Sequence, residues 1–374
     1  MVRFKSVGNE TSSDGMMGKI GKSLEQFKVA HDPETIIAAL RAELADAKSR
    51  ADTAEVMRQW IGSTKAALTD LPIVKWLDAP KKAGALGVPT VQLSDLHWGE
   101  VVKAEQIGGV NSYNLTIARR RLEYVVHGAI KLARMLSPEM DYPGVVVPLL
   151  GDMISGSIHD ELVATNEIST MPTVLDLYRN LVSAIKLLAD TFGQVFLPCV
   201  GGNHGRDTKK TWAKDRNHTS FDWLLYQFLA VAFDGDARVV FYIPEGSDVL
   251  YRVYSTRYLG THGDQFKSSD SIIGAIGPIT RGAQKKLARN VAVDQAFDVM
   301  IFGHWHQRML SSQLRGNGSL KGLDEYAYQG NFKFEPPSQN FWITHPDRGI
   351  TFDAPLFAEV SSKSNKASWV SWAA

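Results

Sequence analysis

A single cysteine, Cys199, stands among 374 residues. Intramolecular disulfides are thereby excluded, and neither Cys-ligated zinc nor an iron–sulfur cluster has the thiolates it needs. A reducing cytoplasm is the expected compartment. Charge of one sign is also lacking, since 41 Lys and Arg face 40 Asp and Glu. An anionic partner must therefore meet a local basic patch, because the field of the whole molecule is weak. Long apolar runs are missing as well. The longest, 221–233, is broken by Asp222 and Gln227 and falls short of the roughly 20 apolar residues that cross a bilayer. Residues 1–14 are polar and Gly-rich, without the apolar stretch of a signal peptide.

What remains is 44% hydrophobic and 22% charged, the balance of a globular chain long enough for one large domain with an appendage, or for two domains. Residues 1–30 show no periodicity and read as a mobile arm. Asp32, Pro33 and Glu34 then signal a helix start, and Ile37, Leu40, Leu44, Ala47, Ala51 and Ala54 follow in steps of three and four. This stripe packs on its own domain or pairs two subunits. A second helix is predicted from Ala54 to about Leu68, ahead of Pro72 and a linker containing Lys81, Lys82 and Gly84. From Val88 the texture changes to short β-branched runs at 88–93, 145–150, 195–200 and 299–302, with helical spacing at 115–136 and 174–188 between them. That alternation predicts layered α/β architecture. Runs at 239–243, 249–254, 258–261 and 340–344 suggest a second sheet with hairpins.

The predicted strands end in polar clusters. Asp95 and His97 follow the first, Asp152 the second, Asn203 and His204 the third, His262 the run at 258–261, and His304 with His306 the run at 299–302. Carboxyl ends of strands point into the ligand crevice of an open α/β sheet, so these clusters can converge. Oxygen and imidazole donors without a thiolate suit Mn²⁺, Fe or Zn²⁺, and there are too many for one tetrahedral ion. Asp152 is the natural bridge, having two oxygens to share. Extended backbone would place Asp95 and His97 on one face at i and i+2. His304 and His306 could serve one ion or both.

The ordered series Asp95-x-His97-x-Gly99, Gly151-Asp152, Gly202-Asn203-His204, His262 and Gly303-His304-x-His306 resembles the calcineurin-like metallophosphoesterase superfamily, and the surrounding core is similar to metallophosphoesterases of bacteriophages. The likeness runs from about Val88 to Val360. It implies a four-layer α/β/β/α sandwich of two mixed sheets over 87–360; the helical extension at 31–86, which has no counterpart in the likeness, and the tail at 361–374 are read from the residues alone. It also implies two divalent ions, Mn²⁺ foremost with Fe or Zn²⁺ as alternatives. Asp95, His97, Asp152 and His306 would hold one; Asp152, Asn203, His262 and His304 would hold the other. His204 would be the general acid while a metal-bridging hydroxide attacks phosphorus. This chain departs from the pattern twice. Ser155 stands where many relatives carry a second carboxylate after Gly-Asp. Gly205 follows His204 where many carry Asp or Glu, leaving Asp207 or Asp264 to orient that histidine.

Arg206, Lys209, Lys210 and Trp212, with Lys214 and Arg216, put positive charge and a stacking surface after His204, as a nucleic-acid strand requires. The expected activity is hydrolysis of phosphodiesters in DNA or another nucleic acid. A protein or nucleotide phosphomonoesterase is the alternative, and a noncatalytic assembly protein, a homo-oligomer pairing through the N-terminal helices, is the second. Residues 317–322, with Asp324 to Tyr326, read as a loop over the cleft. Arg119, Arg120 and Arg121 read as mostly solvent-facing, and Trp98 and Trp305 as packing beneath the site.

Overall fold

The computed structural model describes residues 37, 41, 44, 72, 74–78, 86–267 and 276–359. The chain divides into two units, 1–64 and 65–374. In the first, Ile37, Arg41 and Leu44 are helical and exposed. The expected arm, the other residues of the first expected helix, the whole of the second, the linker lysines and the tail at 361–374 lie outside the described residues.

The second unit contains two mixed sheets. Sheet one joins β1 (Val88–Gln92), β2 (Val145–Val146), β3 (Val195–Pro198) and β4 (Val239–Tyr242) in parallel, and extends from β1 through antiparallel β10 (Ser338–His345) to β11 (Gly349–Phe357). Sheet two has the order β5 (Asp248–Val253), β6 (Thr256–Thr261), β7 (Val299–Phe302), β9 (Leu314–Gly316), β8 (Met309–Leu310). Within it β6, β7 and β9 run parallel, and β5 and β8 are antiparallel edges.

Strand alternation sets the layers. In β7, Val299 and Ile301 join Val146, Phe196 and Trp342 in the core between the sheets, while Met300 and Phe302 face α5 (Ile276–Val291). In β3, Phe196 points between the sheets and Val195 and Leu197 point to the helices on the other side. Those helices are α1 (Leu115–Leu136), α3 (Thr170–Phe192) and α4 (Phe221–Ala232). Two short helices, α2 (Asp160–Thr165) and α6 (Glu325–Gln329), lie in the connections. The result is the expected α/β/β/α sandwich. Val74 and Leu77 also pack in the inter-sheet core, beside a turn of 3₁₀ helix at Lys75–Leu77.

Helix α1 starts where Asn114 Oδ1 accepts the Ile117 N–H at 2.9 Å and ends at Ser137, ahead of Pro138. Leu115, Ala118, Leu122, Val125, Ala129 and Ala133 form its buried stripe. Each large apolar side chain there contributes about 1.5–3 kcal/mol by leaving water. Helix α3 closes on Gly193, whose φ of 77° lets its N–H reach the Ala189 carbonyl.

Three expectations are corrected. Strands 239–243 and 340–344 belong to sheet one, paired with β3 and β1, and not to the second sheet. Arg121 is fully buried: it donates to the Leu320 and Lys321 carbonyls, to Asn111 Oδ1 and to Glu359. Residues 317–321 are buried rather than laid over a cleft. Among the described residues no helix is long and apolar enough to cross a membrane.

Candidate metal centre

All eight sequence-predicted donor and acid residues meet at one end of the two sheets. Asp95, His97 and His306 form one cluster, and Asp152, His262 and His304 another; His97, Asp152 and His204 form a third between them. His97 Nε2 and His306 Nε2 are 2.9 Å apart, with Asp95 Oδ1 3.5 Å from the latter. Asp152 Oδ2 lies 3.0 Å from His262 Nε2 and 4.0 Å from His97 Nε2, so this carboxylate stands between the two histidine groups. Asn203 Oδ1 reaches His262 Nε2 at 3.0 Å. His304 and His306 fall on opposite sides, one with each cluster.

The local backbone differs from the extended geometry expected. Asp95, His97, Asp152, His304 and His306 have φ between 46° and 67°, the left-handed region that side chains with a Cβ rarely adopt. Asp95 and His97 share a face through these tight turns and not through strand alternation. Hydrogen bonds over-determine them. Asp95 N donates to Gly151 O, and His97 N to Asp152 O, each at 3.0 Å, tying the first motif to the second. His304 N donates to Asp95 Oδ1 at 2.8 Å and His204 N to Asp152 Oδ1 at 2.7 Å. Gly303 N donates to His262 O at 2.9 Å. Glycine is obligatory at 202, where an added Cβ would lie 2.1 Å from Asp152 Oδ1.

Electrostatics follow from burial and neighbours. Burial pushes the Asp152 carboxyl up, but the fields of His262 and His204 outweigh it and hold the pKa well below the usual range. His262 is raised to about 10: burial opposes its charge, and the field and hydrogen bond of Asp152 reverse that. Burial, with Lys321 and His204 nearby, lowers His97 to about 3; burial and His262 lower His304 to about 4. His262 Nδ1 lies 2.8 Å from the Leu150 carbonyl, a contact that aims Nε2 into the site. Ionised carboxylates, an amide oxygen and imidazole nitrogens crowded this closely fit divalent cations, and the clusters could hold two.

Four supporting residues were not read from the sequence. Glu100 Oε2 is 3.4 Å from His97 Nδ1 and accepts from Ser155 Oγ at 3.2 Å, while its Oε1 accepts from Lys321 Nζ at 2.8 Å. It supplies, from the first motif, the carboxylate missing at Ser155. Lys321 is buried and also paired with Asp324. Asp222 accepts from the Asp152, Met153 and Gly202 N–H groups at 3.0, 3.2 and 2.9 Å. Its Asp-in-apolar-run signal was visible as the interruption of 221–233; Glu100 and Lys321 carry no local signal. His159, on the loop after Ser155, brings its ring 6.4 Å from that of His204.

His204 finds its orienting acceptor in a backbone oxygen, Ser155 O, 2.9 Å from Nδ1. Asp264, one of the two expected substitutes, is instead gripped by both Nη atoms of Arg216 at 3.0 and 2.9 Å. In the loop after His204, the Arg206 guanidinium bonds the Asn203, Thr208 and Lys209 carbonyls. Lys209, Lys210, Trp212 and Lys214 are exposed. Trp98 is buried and donates to Asp176 at 2.8 Å; Trp305 packs beside the core under α5.

No protein-family model and no curated protein sequence matches the chain. Solved structures similar to it include Vacuolar Protein Sorting 29 from Cryptosporidium parvum, at 12% identity and TM-score 0.27, covering 68% of this chain and 84% of that one. A predicted phosphoesterase from Streptococcus pneumoniae matches at 11% identity and TM-score 0.25, covering 72% and 96%. A sulfate thiohydrolase from Thermus thermophilus matches at 10% and 0.30, covering 75% and 58%. Identities this low attach none of those proteins' activities to this chain, whose chemistry rests on its own residues.

Proposed function

We propose that the protein is a two-metal phosphoesterase that hydrolyses phosphodiester bonds in DNA or another nucleic acid, with His204 as general acid. The observation that carries this reading is the convergence of Asp95, His97, Asp152, Asn203, His204, His262, His304 and His306, with the Asp152 carboxylate between two histidine clusters. Asp95, His97, Asp152 and His306 would hold one ion, and Asp152, Asn203, His262 and His304 the other. When bound, two divalent ions supply Lewis-acid polarisation of a phosphate oxygen and acidify water at the site. The chain's own residues do the rest.

His204 is pinned by its N–H on Asp152 and by the Ser155 carbonyl near Nδ1, so Nε2 is left for the substrate. Burial, with Lys321 behind it, lowers its pKa. An anionic phosphate beside the ring opposes that effect, so His204 takes up its proton with substrate in place and gives it to the departing oxygen. Lys209, Lys210 and Trp212 supply charge and a ring for a continuing strand. No residue of the site is required to form a covalent intermediate.

The test is Mn²⁺-dependent hydrolysis of bis-p-nitrophenyl phosphate, p-nitrophenyl phosphate and labelled oligonucleotides, with metal content measured alongside. Diester turnover is expected, and His204→Ala should keep its metal while losing turnover. Preferential cleavage of the monoester would favour the phosphatase alternative. A protein that holds two ions and cleaves neither ester would overturn the enzyme reading.

A further inference from the structure

We infer that the exposed aromatic segment 326–334 is a stacking platform for the bases of single-stranded nucleic acid. The inference rests on the phosphodiesterase reading for the reaction that such a strand would undergo. Tyr326, Tyr328, Phe332 and Phe334 are 78%, 48%, 51% and 46% exposed. So many large rings facing water along so short a stretch mark a binding surface. Tyr326 and Phe332 meet edge to face with centroids 5.9 Å apart. The Tyr328 hydroxyl rests 3.6 Å from where a Cβ on Gly108 would stand. The rings are therefore positioned.

Chemistry selects the partner. Gln329, Asn331 and Lys333 alternate with the rings, and all three are exposed. Rings interleaved with a cation and with amide groups suit a strand, whose bases stack on aromatic faces at about 1–3 kcal/mol each and whose phosphates pair with lysine.

Placement ties the platform to the metal centre. At one end Asp324 Oδ1 caps the Ala327 N–H at 2.7 Å, and its other oxygen pairs with Lys321, the partner of Glu100 beside His97. Glu325 accepts the Lys103 N–H at 2.8 Å, in the stretch that continues from the His97 motif. At the other end Glu335 accepts the Arg308 N–H at 2.8 Å, just beyond His306. Both ends of the segment are thus fastened to loops that carry the site, as the Lys209, Lys210 and Trp212 loop is fastened through His204.

The full-length chain should be titrated against a fluorescein-labelled oligodeoxythymidylate and followed by anisotropy in the presence of chelator, so that binding is read without turnover. The Tyr326→Ala/Phe332→Ala double variant is expected to weaken Kd by roughly tenfold or more, and Tyr326→Phe/Phe332→Tyr should restore it. Equal Kd for wild type and the alanine variant, or no binding by the wild type, would overturn the platform. So would a shift from dimer to monomer in sedimentation velocity with Kd unchanged, which would assign the rings to a second copy of the chain. Hydrolysis of bis-p-nitrophenyl phosphate by the wild type is scored separately: its absence, with ring-dependent binding retained, would remove the enzymatic reading and leave the platform standing.

Discussion

Asp95, His97, Asp152, His304 and His306 adopt a backbone conformation that costs about 1–3 kcal/mol each. The cost is tolerable because Asp95 and Asp152 hold the neighbouring loops with one oxygen, each accepting a backbone N–H of another motif, His304 or His204. Gly202→Ala tests this coupling, since the new methyl would occupy the space of Asp152 Oδ1. The methyl would also meet Asp152 N at 2.2 Å, so the variant is expected to lose stability in urea denaturation as well as metal binding in calorimetric titration with Mn²⁺. Glu100→Gln is a second test. It keeps the shape beside His97 but removes the charge shared with Lys321 and Ser155, and metal affinity should fall about 10–100-fold. The donors were legible because each ends a recognisable apolar run. Their left-handed turns were not, because the hydrogen bonds that hold them join motifs distant in sequence.

Among the elements, α1 and the larger part of α3 were legible from periodicity alone, since one stripe of each meets the same core. Sheet membership was not. Whether Val239–Tyr242 pairs with β3 or with β5 depends on contacts distant in sequence, and an apolar run looks alike in either sheet. Helix α5 was not read from the sequence, and Gly277, Pro278 and Gly282 stand within it. Gly282 is a packing site, where an added Cβ would lie 2.1 Å from the Phe266 ring. Arg121 was misplaced because three consecutive arginines suggest a solvated face, whereas buried carbonyls at 320 and 321 take up its donors. Cap and core can be tested apart. Asn114→Ala should cost about 1 kcal/mol of unfolding free energy through the lost Ile117 contact. Leu181→Ala, on the buried face of α3, should cost about 2–5 kcal/mol. Urea denaturation distinguishes them.

Over the whole molecule, the site's charges make stability depend on pH and metal together. His97 and His304, lowered to about 3 and 4, stay neutral in the folded protein while the unfolded chain protonates them near pH 6.5. Their contribution is present above pH 6.5 and lost on acidification. Asp222 acts in the opposite sense: burial and the Asp152 charge raise it to about 6, so its ionisation removes stability as pH rises from about 4 to 6. His262, raised to about 10 through Asp152 against the effect of burial, contributes stability that is complete below pH 6.5 and disappears as pH climbs through 10. On the acid side His97 and His304 act with His204 and with the lowered carboxylates Asp95, Asp152 and Glu100 against Asp222, and on the alkaline side His262 acts with Cys199 and Tyr226, which burial keeps protonated. The chelated protein should therefore be most stable near neutrality and weaken by a few kcal/mol towards pH 10. Cations entering the His262 cluster must displace its proton, so their apparent affinity should rise up to about tenfold per pH unit between pH 7 and 9. Calorimetry in buffers of different ionisation enthalpy would count the proton released. Stability that stayed flat to pH 10 in chelator, together with a pH-independent affinity, would show that His262 does not carry the charge its contact with Asp152 implies.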